Sequence, residues 1–273
     1  MRNTEEGLTL QKTRGMELLR GIMRSLKAVA DLLLPRTCIA CGMPLLLEEE
    51  HLCSACLADL PLTRFYLLRH NPMADKFNEA LQKHLETIWA AVSSGDLPFE
   101  RYAYATALFF YDTGSGYSHI THRLKYDGNI SVGRYFGHML GEEIQRTPWL
   151  QDVDAIIPIP LHWHRRWKRG YNQAEIIAEA ISSALEVPMY TDILKRCKHT
   201  KTQTLLDVNT KAENVRSAFI ANSVGDRKIQ HILLVDDVFT TGSTALACFT
   251  ALRTVFPPSV RISVATLGFV GGA

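Results

Sequence analysis

Cys38, Cys41, Cys53 and Cys56 stand as two Cys-x-x-Cys pairs separated by a short linker. Four thiolates at that spacing converge tetrahedrally on one Zn²⁺, and Gly42 after the first pair allows the tight turn this needs. A redox role is the weaker reading, because redox Cys-x-x-Cys motifs come singly. All four ligands come from the protein, so no coordination position stays open and the predicted ribbon is structural. So short a segment holds no core, and bound metal would supply most of its folding free energy. A second group is Asp236-Asp237 followed by Thr240-Thr241-Gly242-Ser243-Thr244. The two carboxylates repel phosphate but suit sugar hydroxyls or a metal, whereas the hydroxyls and backbone N–H groups after them suit phosphate. A ribose carrying a 5-phosphate satisfies both. The third group is cationic: Arg165, Arg166, Lys168 and Arg169, then Gly170 and Asn172. Charge of that density before a helix start suits a pyrophosphate.

These groups need elements to hold them. Ile232 to Val235 is an apolar run typical of a buried strand, and Ala245 to Val255 reads as a helix. We therefore read a strand over Lys228 to Val235, with the acids and the hydroxyl-rich turn in the loop before a helix N-terminus. That layout builds phosphate sites at the carboxyl end of a parallel sheet. A second strand–loop–helix unit holds the cations, with a strand over 152–160 that stops at Pro158 and Pro160 and a helix over Ala174 to Ala184. Further strands are predicted over Arg101 to Tyr111, at Phe219-Ile220 and over Val260 to Leu267. Helices are predicted over Lys76 to Val92, His119 to Tyr126 and Val132 to Ile144. Residues 194–216 are polar and lack apolar periodicity, which predicts a long exposed binding loop or lid. Alternating strands and helices give an α/β fold with a mostly parallel sheet flanked by helices.

At the N-terminus, Leu19, Ile22, Met23, Leu26, Val29, Ala30 and Leu33 recur at three- and four-residue steps. They predict an amphipathic helix that ends at Pro35 and docks on the body of the protein, in preference to a membrane or DNA surface. The organisation expected is residues 1–36 as this helix, 37–60 as the zinc ribbon, 61–100 as a connector with a helix, and 101–273 as the main domain. The chain has 273 residues, 47% of them hydrophobic and 21% charged, with a net charge of +2. Nothing in that balance gives a global basic field for nucleic acid. No apolar run is long enough to span a bilayer and no leader pattern opens the chain, so the expected location is cytoplasmic.

With its motifs placed, the chain resembles the ComF/GntX family, whose members carry a type I phosphoribosyltransferase-like domain after a four-cysteine zinc ribbon. The likeness rests on the cysteine pairs, Leu124-Lys125-Tyr126-Asp127-Gly128, Pro158-Ile159-Pro160-Leu161 and Arg169-Gly170-Tyr171-Asn172-Gln173. It continues in Gln203 with Asn214 and in Val235 to Thr244. The resemblance implies binding of 5-phosphoribosyl-1-pyrophosphate (PRPP) with Mg²⁺. Asp236 and Asp237 would hold the ribose hydroxyls and act as the catalytic pair, and Thr240 to Thr244 would hold the 5-phosphate. Pro160 to Asn172 would form the pyrophosphate loop, with Arg165, Arg166, Lys168, Arg169 and Asn172 as its site residues, and Lys195 to Lys211 a mobile hood. Purine-salvage relatives carry an acid in place of Thr240, so that type of transfer is disfavoured here. Lys211 stands where the family usually has arginine. The alternative implied by the family is handling of single-stranded DNA with the DNA-uptake machinery, for which Trp163 and Trp167 among cations offer stacking. Related folds often form homodimers.

Overall fold

The structure, a computed structural model, describes residues 35–92, 100–197 and 218–271. The expected N-terminal helix lies outside the described residues, as does most of the 194–216 stretch, including His199, Gln203, Lys211 and Asn214. The chain divides into two compact units, residues 1–60 and 61–273.

The first unit is built around its cysteines. Gly42 takes a positive φ of 75°, and its N–H donates to the Cys38 carbonyl at 2.9 Å while Cys38 N–H donates to Met43 O at 2.7 Å. This closes the first turn. A short helix α1, Ser54–Ala58, starts at Cys53, whose sulfur accepts from Cys56 N–H. Glu49 orders the linker by accepting from the N–H groups of Leu46 and Ser54 and from the Ser54 hydroxyl.

The second unit is a four-stranded, all-parallel sheet with helices on both faces. Its elements are α2 (Pro72–Val92), β1 (Ala105–Phe110), α3 (Ser118–Tyr126), α4 (Ile130–Gln145), β2 (Ala155–Pro158), α5 (Trp163–Arg169) and α6 (Gln173–Leu185). Then follow β3 (Leu194–Arg196), β4 (Phe219–Ala221), β5 (His231–Phe239), α7 (Ser243–Leu252) and β6 (Arg261–Phe269). The strand order is β1-β6-β5-β2, while β3 and β4 form a separate antiparallel pair. Strands buried on both faces read as continuous apolar runs, and Ile232 to Val235 are all fully buried. On one face Ile232 and Leu234 share a core with Cys248 and Phe249 of α7 and Phe77 of α2. On the other, α6 packs on β2 and β5, and α4 on β1. Gly133, Gly137 and Gly141 let α4 close on α6: a Cβ at Gly137 would stand 2.9 Å from Ala180 Cβ, and one at Gly141 2.7 Å from Ala184 Cβ.

The structure changes the expected elements in four places. Residues 61–92 pack within the second unit, with Met73, Phe77 and Leu81 of α2 in its core. Strand β5 does not stop at Val235, because β6 stays paired with it out to Phe239. Asp236 and Asp237 therefore stand on a strand, not in a loop. Residues 165–169 belong to a helix, α5, started by His162, which accepts from His164 N–H, and ended by Gly170 in the left-handed region at φ 82°. Finally, Leu194–Arg196 is a strand rather than part of a loop, since it pairs with Phe219–Ala221.

Candidate functional site

Strand β2 pairs with β5 only as far as Val235, whereas β6 continues along the other side of β5. Past Val235 the sheet opens on the β2 side, and the acid pair sits at that opening. The helices that follow the two neighbouring strands lie on opposite faces of the sheet, which is the crevice where open α/β sheets take ligands. A cleft of about 230 Å³ forms there. It is lined by Asp236 and Asp237 from β5, Arg165 and Arg169 from α5, and Arg196 from β3, with Lys125, Tyr126, Gln173 and Thr244 closing it.

Each acid has its own surroundings. Asp236 accepts from the Asp237 N–H at 2.9 Å. Burial, and after it the neighbouring Asp237 charge, pushes its carboxyl up to about 7, against the opposing pull of Lys125 and Arg196. Asp237 instead makes an ion pair with Lys125, Nζ to Oδ2 at 2.9 Å. Burial pulls the Arg196 guanidinium down, helped by the Arg165 charge. Two donors at the cleft have no partner among the described residues: Arg196 Nε and Gln173 Nε2, the latter on a side chain only 3% exposed. Unpaired buried donors are costly, and a ligand with acceptor oxygens would satisfy them.

Beside the cleft lies a small hollow of about 20 Å³, lined by Asp236, Thr240, Gly242, Ser243 and Thr244 with Val264 and Thr266 beneath. It sits at the N-terminus of α7, where the first N–H groups of a helix lack intrahelical partners and its dipole favours anions. Gly242 is the N-cap at φ 78°, and a Cβ there would stand 2.7 Å from the Phe239 ring. Only glycine fits that turn on both counts. Thr241 and Ser243 hydroxyls bond each other at 2.8 Å, and Lys76 Nζ holds the Thr240 carbonyl at 2.7 Å.

The cationic group does not act together. Arg165 and Arg169 line the cleft; Lys168 faces an outer groove of about 590 Å³ shared with Arg165, Arg169, Lys125, Tyr126 and Tyr171. Arg166 pairs with Glu175 at 2.6 Å. Asn172 is 2% exposed; it caps α6 by accepting from Ala174 N–H and donates to the Ile159 carbonyl at 3.0 Å. Sequence reasoning assigned no role to Lys125, Tyr126, Gln173 or Arg196 in the cleft. Lys125 and Tyr126 arrive at the last turn of α3, which is tied to the α5–α6 connection by the Tyr171 hydroxyl donating to Leu124 O and by Arg169 lying 5.1 Å over the Tyr126 ring.

In the first unit, the sulfurs of Cys38, Cys41, Cys53 and Cys56 lie within 4.8 Å of one another. A tetrahedral zinc with Zn–S bonds of about 2.3 Å sets sulfurs about 3.8 Å apart, and the Cys41–Cys53 sulfurs stand at 3.8 Å. Burial raises the Cys38 thiol, but N–H groups of Cys41, Cys53 and Ala40 outweigh it and bring the thiol down to about 6. Burial and then the neighbouring sulfurs raise the Cys56 thiol instead, so a cation among the four would be what favours thiolate throughout the cluster.

The sheet, its flanking helices and the small β3–β4 pair define a domain of the phosphoribosyltransferase type, and the family model for the phosphoribosyl transferase domain matches residues 172–267. Among similar proteins, Competence protein F of Haemophilus influenzae is 38% identical over 126 residues, covering 45% of this chain and 55% of that protein. The DNA utilization protein YhgH of Salmonella typhimurium is 25% identical over 218 residues, 78% of this chain and 88% of that one. Competence protein ComFC of Streptococcus pneumoniae is 30% identical over 122 residues, 45% of this chain and 50% of its own. In the first and last of these, the chain spans about half the length of the relative it matches. The resemblance to the ComF/GntX family is borne out: relatives bear the names Competence protein F and ComFC, and this chain itself matches the phosphoribosyl transferase domain. Among the described residues, no helix is long and apolar enough to cross a membrane.

Proposed function

We propose that the cleft binds PRPP as its Mg²⁺ complex and supports transfer of the phosphoribosyl group to an acceptor. The observation that carries this reading is the position of Asp236 and Asp237. They lie between a phosphate hollow at the α7 N-terminus and a wall formed by Arg165, Arg169 and Arg196. A ribose there places its 5-phosphate on Thr240 to Thr244, its hydroxyls on the acids, and its diphosphate on the arginines. Gln173 Nε2 and Arg196 Nε, unpaired among the described residues, supply donors on the diphosphate side. Mg²⁺ bound with the ligand would supply charge neutralisation for the diphosphate, and Asp236 is the acid open to it, since Asp237 pairs with Lys125.

In such a transfer the bond from the anomeric carbon to diphosphate breaks and diphosphate keeps the electron pair. The acceptor forms the new bond at that carbon and releases a proton. Positive charge grows on the ribose, where Asp236 stabilises it with Asp237 held beside it by Lys125, and negative charge on the departing diphosphate, where the arginines do so. The test is calorimetric titration of PRPP with and without Mg²⁺. Binding by wild type, lost in Asp236→Asn/Asp237→Asn, supports the reading; no binding by wild type at saturating PRPP overturns it.

A second reading has its own support. Relatives bear the names competence and DNA utilization proteins, and the outer groove joins the cleft with Lys168, Tyr126 and Tyr171 along it. Trp163 and Trp167 are exposed, the latter to 81%. Cations interleaved with exposed aromatics suit a single strand. Single-stranded DNA affinity that falls with salt, and drops in Arg165→Ala/Arg169→Ala, supports a DNA-handling role. An affinity unchanged by that double substitution removes this surface from consideration.

A further inference from the structure

Adjacent residues on a strand point to opposite faces, so the two acids, although both reach the cleft, have different neighbours. Asp236 turns toward α7: it lines the hollow at the α7 N-terminus, and after burial its charge is the next cause that raises the Cys248 thiol. Asp237 turns toward α3 and meets the Lys125 ammonium at 2.9 Å. Both partners of that pair are mostly enclosed, at 26% and 14% side-chain exposure. Lys125 is itself anchored, since its neighbours Leu124 and Tyr126 hold the α5–α6 connection through Tyr171 and Arg169. It also lines both the cleft and the outer groove.

We propose that Lys125 is a positioning residue of the ribose site, pinning Asp237 in one orientation as a neutralised carboxylate while Asp236 stays free to engage the ligand. The inference rests on the ribose-phosphate reading for its ligand, but the pinning itself is a property of the ligand-free protein. It divides the labour of the two acids: Asp236 makes the adaptable contact, and Asp237 with Lys125 forms a fixed wall. The groups facing the pair are Lys125 from α3, Arg196 from β3 and Cys248 from α7. Lys125 alone among these touches Asp237 within ion-pair distance in the described residues.

Two measurements on the full chain test this. In the first, thermal unfolding without ligand is followed for Lys125→Met alone, with Asp237→Asn, and with Asp236→Asn. The midpoint loss from Lys125→Met should persist in the Asp236→Asn background and nearly vanish in Asp237→Asn, as expected for directly coupled partners. Equal losses in the two backgrounds overturn the inference. In the second, Mg²⁺–PRPP affinity should fall roughly tenfold in Lys125→Met, a size set by losing one charged contact. Lys125→Arg should restore most of it, and Lys125→Met should cost almost nothing further in Asp237→Asn. Unchanged affinity in Lys125→Met overturns the positioning role even if the pair is confirmed. Failure of wild type to bind PRPP overturns the ribose-phosphate reading instead, and the unfolding measurement still decides whether Lys125 pins Asp237.

Discussion

Replacing Asp236 with asparagine should stabilise the protein in a way that depends on pH. The side chain is held in a poorly solvated corner beside a second carboxylate, and its pKa rises from 3.8 to about 7. The sign follows from linkage: an acid whose folded pKa is raised binds its proton more tightly in the native state than in the unfolded chain. The associated stability is fully present below the unfolded pKa and is lost as pH rises through about 7. At about 1.36 kcal/mol per unit, the full shift corresponds to roughly 4 kcal/mol. Between pH values near 5 and near 8, roughly 2–3 kcal/mol of it is lost. Asparagine keeps the shape and cannot ionise, so it avoids that loss. For a chain of this size, 1 kcal/mol shifts the midpoint by about 2–4 °C, so the variant should gain on the order of 5–10 °C over wild type between those two pH values. Differential scanning calorimetry of both proteins at both pH values reads this directly, because any fixed packing effect of the substitution cancels in the comparison. A midpoint difference that is the same at both pH values, or that moves against the variant at the higher one, refutes the reasoning. The same variant should bind Mg²⁺–PRPP more weakly, the usual opposition between stability and function at a strained site.

Other perturbations probe the remaining parts. Cys38→Ser should lose stoichiometric zinc on metal analysis, and a strong chelator applied to wild type should unfold the first unit, seen as loss of proteolytic protection around residues 37–60. Gly242→Ala combines a positive φ of 78° with a Cβ 2.7 Å from Phe239; it should destabilise by roughly 1–3 kcal/mol in thermal unfolding and weaken PRPP binding in calorimetry. Gly137→Val should cost a similar ~1–3 kcal/mol, because its Cβ would stand 2.9 Å from Ala180 Cβ and 3.1 Å from the Ile177 carbonyl. Chemical denaturation measures it, and an unchanged midpoint would show that α4 and α6 can separate freely.

The parts of this molecule that sequence made legible are those governed by local rules. Buried strands announce themselves as aliphatic runs, and cysteine spacing fixes a tetrahedral cluster whatever surrounds it. The glycine in Thr241-Gly242-Ser243 is required by a turn that only three or four residues define. What stayed hidden depends on partners far away in the chain. Nothing near Asp236 signals that β5 runs on past Val235, because β6 supplies the hydrogen bonds that extend it to Phe239. Similarly, a run of four cations reads as one charged loop until a helix sends its members in different directions, Arg165 and Arg169 to the cleft and Arg166 to Glu175. Lys125 and Arg196 are the sharpest case. Each lies far in sequence from the acid pair, and although Arg196 falls in a stretch read as a binding loop, nothing local aims either side chain at the acids; the fold brings them there. A strand that outruns one neighbour creates a cleft, and the elements crossing that opening decide the charge inside it. In such a fold the motif on the central strand identifies the ligand class, while the residues that tune the motif belong to whichever segments the topology folds over it.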